Sequence, residues 1–148
     1  MARVQSVVHD FMILNIFTDG ASRSNPGKSA SGFAVYDDSN ILLMKKSFFN
    51  GIRTNNEAEY LAIIASLESV YEEYGHENVE IRLHSDSRLA INQLRGDYKV
   101  KDPKIKQLYN EALLCIGKFD KVMLINVPRE NKNIVAVDSD LNQLLDKY

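Results

Sequence analysis

A helix is predicted to begin in the segment Thr54-Asn55-Asn56-Glu57-Ala58-Glu59-Tyr60. Thr54 and Glu57 have the spacing of a capping box, in which each side chain satisfies a free backbone N–H at the start of a helix. Small and apolar residues then recur at helical spacing, and Gly75 is expected to end the helix. The residues predicted to share one face are Ala58, Leu61, Ala62, Ala65 and Ser69. This helix decides the fold because it separates a group of strands from a region where strands and helices alternate.

Before this helix the sequence predicts three strands. Residues 13–18 form an apolar run that is typical of a buried strand. Residues 19–29 are rich in Gly, Ser, Asn and Pro and are interpreted as a loop. Residues 31–36 and 41–49 are predicted to form an antiparallel hairpin around a turn at residues 37–40.

After the helix, strands alternate with helices that have clear start and stop signals. Ser87 and Asp102 are predicted helix caps, and Pro103 occupies the first helical position, which tolerates proline. The predicted elements are a strand at 79–83, a helix at 88–95, a helix from 103 to 117, a strand at 122–127 and a helix at 133–146. A hairpin followed by this alternation implies an α/β fold with a mixed sheet and helices on its faces.

Length and composition favour a single domain over residues 1–148. Hydrophobic residues make up 45% and charged residues 26% of the sequence, an ordinary balance for a globular protein. The single cysteine, Cys115, excludes an internal disulfide and is typical of a reducing compartment, so we expect a cytoplasmic location. The apolar run at 11–17 is too short to span a membrane and is interpreted as part of the first strand. We expect a monomer without a membrane partner.

Three acidic residues occupy positions where catalytic groups collect in such folds. Asp19 and Asp86 each follow a predicted strand, and Glu59 lies in the first turns of the first long helix. Carboxylates at the ends of central strands can converge where substrates bind. Crowded carboxylates repel each other, and a hard divalent cation such as Mg²⁺ relieves that repulsion. Each acid alone also has an ordinary structural explanation as a turn residue, a helix-start residue or a cap.

The order of the motifs around these acids resembles the type 1 ribonuclease H family. The first motif is Phe17-Thr18-Asp19-Gly20-Ala21 with Asn25-Pro26-Gly27, the second is residues 54–62, and the third is His84-Ser85-Asp86-Ser87. Residues 96–101 and 127–131 resemble the archaeal and plant-like subgroup that lacks a basic protrusion. The resemblance covers the chain from about Ile13 onward, and its second motif is the most specific.

The resemblance implies a ribonuclease H-like fold, with a five-stranded mixed sheet in the order 3-2-1-4-5 and helices on both faces. It implies an endoribonuclease that hydrolyses the RNA strand of RNA–DNA hybrids with Mg²⁺ or Mn²⁺, two ions per site with substrate bound, leaving 3′-hydroxyl and 5′-phosphate ends. Asp19, Glu59 and Asp86 would be catalytic metal ligands. By the same resemblance, residues that contact the hybrid are expected among Gly20, Asn25, Thr54, Asn55 and Asn56, whose alternative roles are turn formation and helix capping.

The fourth carboxylate of the family departs from its usual spacing in this chain. Family members usually have an Asn four residues before the acidic residue near the start of the last helix, and no Asn–Asp pair here has that spacing. Asp138 is the preferred candidate, because Leu141 and Leu144 then continue the apolar stripe. Asp140 is the second candidate and would lie about 200° around the helix from Asp138.

Positive charge is sparse for a protein that binds a polyanion. The formal net charge is −2, whereas phosphate contacts normally depend on Lys and Arg. Either the basic residues are clustered or bound metal ions supply part of the positive field. Lys99, Lys101, Lys104 and Lys106 form a modest cluster near the predicted site. No histidine lies in the loop before the last helix, and His84 is interpreted as a strand residue.

Three other functions remain open at this point. The irregular fourth motif is compatible with a weakly active or inactive module that binds nucleic acid or a protein. A nuclease or transposase of the same superfamily that acts on DNA is a further alternative. A small-molecule α/β enzyme is the fourth, although no glycine-rich phosphate loop of the expected form supports it.

Overall fold

Five strands form one mixed sheet in the computed structural model, which describes residues 10–148. The strands are β1 (Met12–Ser22), β2 (Gly27–Tyr36), β3 (Leu42–Arg53), β4 (Val79–Ser85) and β5 (Lys121–Asn126). The helices are α1 (Asn55–Tyr74), α2 (Arg88–Leu94), α3 (Pro103–Ile116) and α4 (Lys132–Leu145). The strand order is β3-β2-β1-β4-β5, which confirms the expected fold. Residues 1–9 of the expected domain lie outside the described residues.

The two faces of the sheet are covered by different helices. Side chains alternate along a strand, so Leu14 and Ile16 of β1 pack with α1 and α3 on one face. Phe17 of the same strand packs on the other face against Ile134 and Val137 of α4. Each face therefore has its own apolar cluster, and β1 contributes to both.

The strand directions place the end of β4 beside Thr18 of β1, four residues before β1 ends. β1 is antiparallel to β2 but parallel to β4, and β4 is parallel to β5. Thr18 of β1 lies opposite Ser85, the final residue of β4. Asp19 and Asp86, which follow these two residues, are therefore brought to the same edge of the sheet.

The prediction of a loop at residues 19–29 is wrong for most of its length. β1 continues to Ser22 and β2 begins at Gly27, with pairing from Asp19↔Gly32 to Ser22↔Ser29. The small residues in this stretch serve close packing. A Cβ on Gly20 would lie 2.4 Å from the backbone carbon of Ala58 in α1. Only residues 23–26 connect the two strands, with a cis peptide bond before Pro26.

The capping box at the start of α1 is confirmed. The Thr54 hydroxyl accepts a hydrogen bond from the Glu57 N–H at 3.1 Å, and the Glu57 carboxylate accepts one from the Thr54 N–H at 2.9 Å. The predicted buried face is only partly right. Ile63, Leu67 and Val70 are fully buried, because α1 packs against α3 as well as against the sheet, so its buried arc is wider than one stripe.

The remaining elements follow the predicted start signals. Ser87 and Asp102 cap α2 and α3 with their side-chain oxygens, as predicted. Asn131, which was not predicted as a cap, does the same for α4. Residues 95–102, which connect α2 and α3, contain no helix. Among residues 10–148, no helix combines the length and hydropathy that a membrane span requires.

Replacing Gly20 by alanine tests the close approach of α1 to β1. We expect Gly20→Ala to lower the free energy of unfolding by about 1–3 kcal/mol, because the added methyl group overlaps the α1 backbone. Urea unfolding followed by circular dichroism gives this quantity. The matched control is Gly117→Ala, whose Cβ would lie 3.4 Å from the nearest atom and should leave stability nearly unchanged. Equal midpoints for the two variants would contradict the packing argument.

Candidate active site

Three carboxylates meet beside the C-terminal end of β4, next to the neighbouring part of β1. Asp19 comes from β1, Asp86 follows β4, and Glu59 comes from the first turns of α1. One carboxylate oxygen of each residue lies within 4.8 Å of the other two. The structure therefore brings together the three acids that the sequence singled out.

The position of Glu59 depends on how closely α1 approaches the sheet. Gly20 leaves the space that the backbone of Ala58 and Glu59 occupies. The Ser31 hydroxyl on β2 donates a hydrogen bond to the Ala58 carbonyl at 2.6 Å and accepts one from the Asn50 side chain at 2.7 Å. Two neighbouring strands thus hold the backbone beside Glu59.

Two oxygens of the cluster are buried without a hydrogen-bond partner among the described residues. They are Glu59 Oε1 and Asp86 Oδ1. A buried acceptor that finds no donor is costly, and a carboxylate oxygen is the ligand that Mg²⁺ and Mn²⁺ prefer. The donor set of the three acids therefore fits a hard divalent cation.

Burial raises the pKa values of all three acids, and neighbouring negative charges add to this effect. Burial raises the pKa of Asp19 to about 8, with further contributions from Asp86 and from the hydrogen bond and charge of Asp138. Burial, followed by the charges of Asp19 and Asp86, raises the pKa of Glu59 well above its usual value. The pKa of Asp86 is also raised by burial, although the positive charge of Arg129 opposes that shift. A bound cation would favour the ionised forms of all three.

The structure places Asp138 at the cluster and Asp140 away from it. Val137 and Leu141 are buried against the sheet, and this orientation of α4 brings Asp138 into the same cleft as the three acids. Asp140 lies beside β3, where its carboxylate is 3.5 Å from the Lys45 ammonium. The geometry therefore favours Asp138 as the fourth carboxylate.

The acids line an open cleft of about 620 Å³. Its other lining residues come from β1, α1, the β5–α4 connection and α4. They are Gly20, Ala21, Asn55, Arg129, Glu130, Ile134 and Val135. Arg129 was given no role by the sequence analysis, although its place three residues after the end of β5, a strand parallel to β4, was a usable signal. It contributes positive charge that acts on Asp86.

The asparagines expected to contact substrate also organise the rim of the cleft. Asn25 Oδ1 accepts a hydrogen bond from the Asn55 N–H at 3.0 Å, and Asn55 Oδ1 accepts one from the Ser22 N–H at 2.8 Å. Asn55 and Gly20 line the cleft. Thr54 caps α1, and Asn56 is half-buried at its start.

His84 packs within the sheet, as its strand position suggested. Its ring stacks on Phe17 with 4.3 Å between centroids, and its Nδ1 is 3.0 Å from the Ile16 carbonyl oxygen. Burial lowers the pKa of this imidazole. His84 does not line the carboxylate cleft.

Comparison with known proteins agrees with this geometry. The family model described as "Reverse transcriptase-like" matches residues 17–138. The crystal structure of RNase H1 from Halobacterium salinarum superposes with a TM-score of 0.85 and 32% identity, covering 92% of this chain and 99% of that one. The chain belongs to the type 1 ribonuclease H family. LC11-RNase H1, solved in complex with an RNA/DNA hybrid, is similar with a TM-score of 0.84 and 32% identity, covering 90% of this chain and 97% of that one.

Two of the curated relatives are longer than this chain. Ribonuclease HI of Halobacterium salinarum is 32% identical over 133 residues, which are 90% of this chain and 64% of the relative. A bifunctional protein of Mycobacterium tuberculosis is 35% identical over 116 residues, 77% of this chain and 31% of the relative. The chain therefore spans about two-thirds of one relative and about a third of the other.

The raised pKa of Asp19 predicts how stability depends on pH in the absence of metal. A group whose pKa is higher in the folded than in the unfolded state stabilises the fold at every pH below its unfolded pKa, which is about 4 for Asp. This stabilisation is lost as the pH rises through the folded pKa. For Asp19 the loss extends to about pH 8. We expect Asp19→Asn to unfold at a higher temperature than wild type in EDTA at pH 8, by about 4–8 °C if about 2 kcal/mol is recovered.

Other titratable and charged groups share the cleft with Asp19, namely Glu59, Asp86, Asp138 and Arg129. Two controls separate the contribution of Asp19 to the unfolding temperature from the contributions of these groups. The difference between the two proteins should shrink as the pH falls through 4, because Asp19 becomes neutral in the unfolded as well as the folded wild type only below its unfolded pKa. Saturating Mg²⁺ should stabilise wild type more than Asp19→Asn. A difference in thermal midpoint that is constant across this pH range would contradict the assignment.

Proposed function

We propose that this chain is an endoribonuclease that hydrolyses the RNA strand of RNA–DNA hybrids and leaves 3′-hydroxyl and 5′-phosphate ends. The observation that carries the proposal is the convergence of Asp19, Glu59 and Asp86, with two buried oxygens that have no hydrogen-bond partner among the described residues. Membership of the ribonuclease H family supports this reaction, as does the RNA/DNA hybrid bound by LC11-RNase H1.

Asp19, Glu59, Asp86 and Asp138 would hold the divalent metal, Mg²⁺ or Mn²⁺, with two ions when substrate is present. Such ions supply activation of the attacking water and stabilisation of the leaving oxygen in phosphodiester hydrolysis. Asp19 and Glu59 are held by β1 and α1, which the contact at Gly20 keeps together. The chain therefore presents these two ligands on regular elements, which position side chains better than loops do.

The rim of the cleft has groups suited to an RNA strand. An asparagine amide can both donate to and accept from the 2′-hydroxyl that distinguishes RNA from DNA. Asn55, which lines the cleft, and Asn25, which accepts a hydrogen bond from the Asn55 N–H, are proposed to contact the 2′-hydroxyl groups. Asn56 and the backbone of Gly20 are proposed to contact the hybrid beside them. Thr54 is proposed to approach a phosphate of the DNA strand.

Positive charge around the site is supplied by a few residues. The Arg129 guanidinium lines the cleft, and its planar set of donors suits a phosphate. Lys99, Lys101, Lys104 and Lys106 are exposed in the connection before α3 and in its first turn. α3 ends where β5 begins, and the beginning of β5 lies at the end of the strands opposite to the carboxylates. The lysines stand at the start of α3 and before it, and are therefore expected towards the end of the strands that carries the carboxylates.

The activity is tested with a labelled RNA–DNA hybrid in the presence and absence of Mg²⁺. We expect metal-dependent cleavage by wild type and a rate at least about 100-fold lower for Asp19→Asn, since a metal ligand is lost. Double-stranded RNA and double-stranded DNA of the same sequence should remain uncut. Wild-type cleavage equal to that of Asp19→Asn would favour an inactive nucleic-acid-binding module, and cleavage of the DNA duplex would favour a DNA nuclease.

The choice of fourth carboxylate is tested by a matched pair of substitutions on α4. Asp138→Asn should lower the cleavage rate by about tenfold or more, because Asp138 lies beside Asp19 in the cleft. Asp140→Asn removes the same charge from the same helix but only disturbs the exposed contact with Lys45, so we expect activity within about twofold of wild type. The opposite ranking would overturn the assignment of Asp138.

A further inference from the structure

A buried hydrogen bond joins α1, the helix that carries Glu59, to α2, the helix that follows Asp86. The Tyr60 hydroxyl donates to Gln93 Oε1 at 2.7 Å. Tyr60 is 1% exposed and Gln93 6% exposed, so water does not compete for this bond. A buried polar pair of this kind is costly to break, because each partner then loses its hydrogen bond without gaining one to solvent.

Each end of this hydrogen bond lies on a helix that is joined directly to one of the clustered acids, although Gln93 is seven residues beyond Asp86. Tyr60 directly follows Glu59 on α1. Gln93 lies on α2, which starts two residues after Asp86. Two hydrogen bonds fix the short segment between Asp86 and α2. The Ser87 N–H donates to Ser85 Oγ, and the Ser87 hydroxyl accepts from the Ala90 N–H. The bond therefore connects the two backbone segments that carry Glu59 and Asp86.

The separation of Glu59 and Asp86 matters once both are ionised, and the charge of Asp86 already contributes to the raised pKa of Glu59. Glu59 and Asp86 both have raised pKa values, and each has one buried oxygen without a hydrogen-bond partner in the described chain. Gly20 and Ser31 hold the α1 backbone against β1 and β2, but neither of these contacts reaches the segment of Asp86. The Tyr60–Gln93 bond does reach that segment.

We propose that Tyr60 and Gln93 are positioning residues of the metal centre, which hold Glu59 and Asp86 at the separation that a divalent cation requires. The proposal rests on the proposed function, because it concerns the same carboxylates. It adds a task for two side chains that are not expected to touch either the metal or the hybrid. Burial raises the pKa of the Tyr60 hydroxyl, so the donor keeps its proton throughout the neutral pH range.

The test measures Mn²⁺ binding by titration calorimetry without substrate, together with thermal unfolding. Tyr60→Phe and Gln93→Met each remove the bond, and we expect both to raise the Mn²⁺ dissociation constant by about tenfold, as changes around metal ligands commonly do. The double variant leaves no buried polar group unpaired, so its thermal stability should recover relative to the single variants. Its metal affinity should stay low, because the bond between the helices is still missing.

The matched control is Val70→Ala, which removes buried volume from the same helix far from the carboxylates. It should lower the unfolding temperature and leave the Mn²⁺ dissociation constant within about twofold of wild type, since distant sites act independently. Gln93→Met carries the test alone if Tyr60→Phe does not fold.

Two different failures can be told apart. If wild type binds Mn²⁺ more tightly than Asp19→Asn but the Tyr60 and Gln93 variants bind it as wild type does, the positioning role is overturned and the metal centre stands. If wild type binds Mn²⁺ no better than Asp19→Asn, the metal centre is overturned and the positioning role with it.

Discussion

The close contact between α1 and β1 at Gly20 is the constraint on which the site depends. Any side chain at this position would overlap the backbone of Ala58, so glycine sets the distance between helix and sheet. That distance brings Glu59 to Asp19, and the parallel pairing of β1 with β4 brings Asp86 to the same place. The site is therefore a product of backbone packing before any side-chain chemistry is considered.

The carboxylate cluster shows how a stable scaffold can hold an unfavourable arrangement. Three acids lie close together at the base of the cleft, and burial raises the pKa of each. Capped helices and a continuous sheet supply the stability that this arrangement lacks. The fourth acid comes from α4, on the opposite face from α1. The cleft thus joins the two layers that the sheet otherwise separates.

Local signals in the sequence predicted the helix starts. The strand order was implied only by the resemblance to the ribonuclease H family, and the three acids were singled out by their places along the chain together with that resemblance. The capping box at Thr54 and the caps at Ser87 and Asp102 depend on neighbouring residues only, and the structure agrees with them. The loop assigned to residues 19–29 failed because small residues suit both turns and close packing, and only the position of α1 decides between them. The role of Arg129 and the Tyr60–Gln93 bond depend on contacts between distant segments, which no local pattern records.

The placement of α4 after all five strands has a consequence for synthesis on the ribosome. Phe17 and Ala34 are covered by α4, which is translated after them. Until α4 emerges, the nascent sheet has one bare apolar face, and such surfaces are prone to aggregate or to engage chaperones. The same helix carries Asp138, so translation adds this carboxylate only after Asp19, Glu59 and Asp86 have been made. A truncated or stalled nascent chain would therefore lack both a protected surface and a complete set of acids.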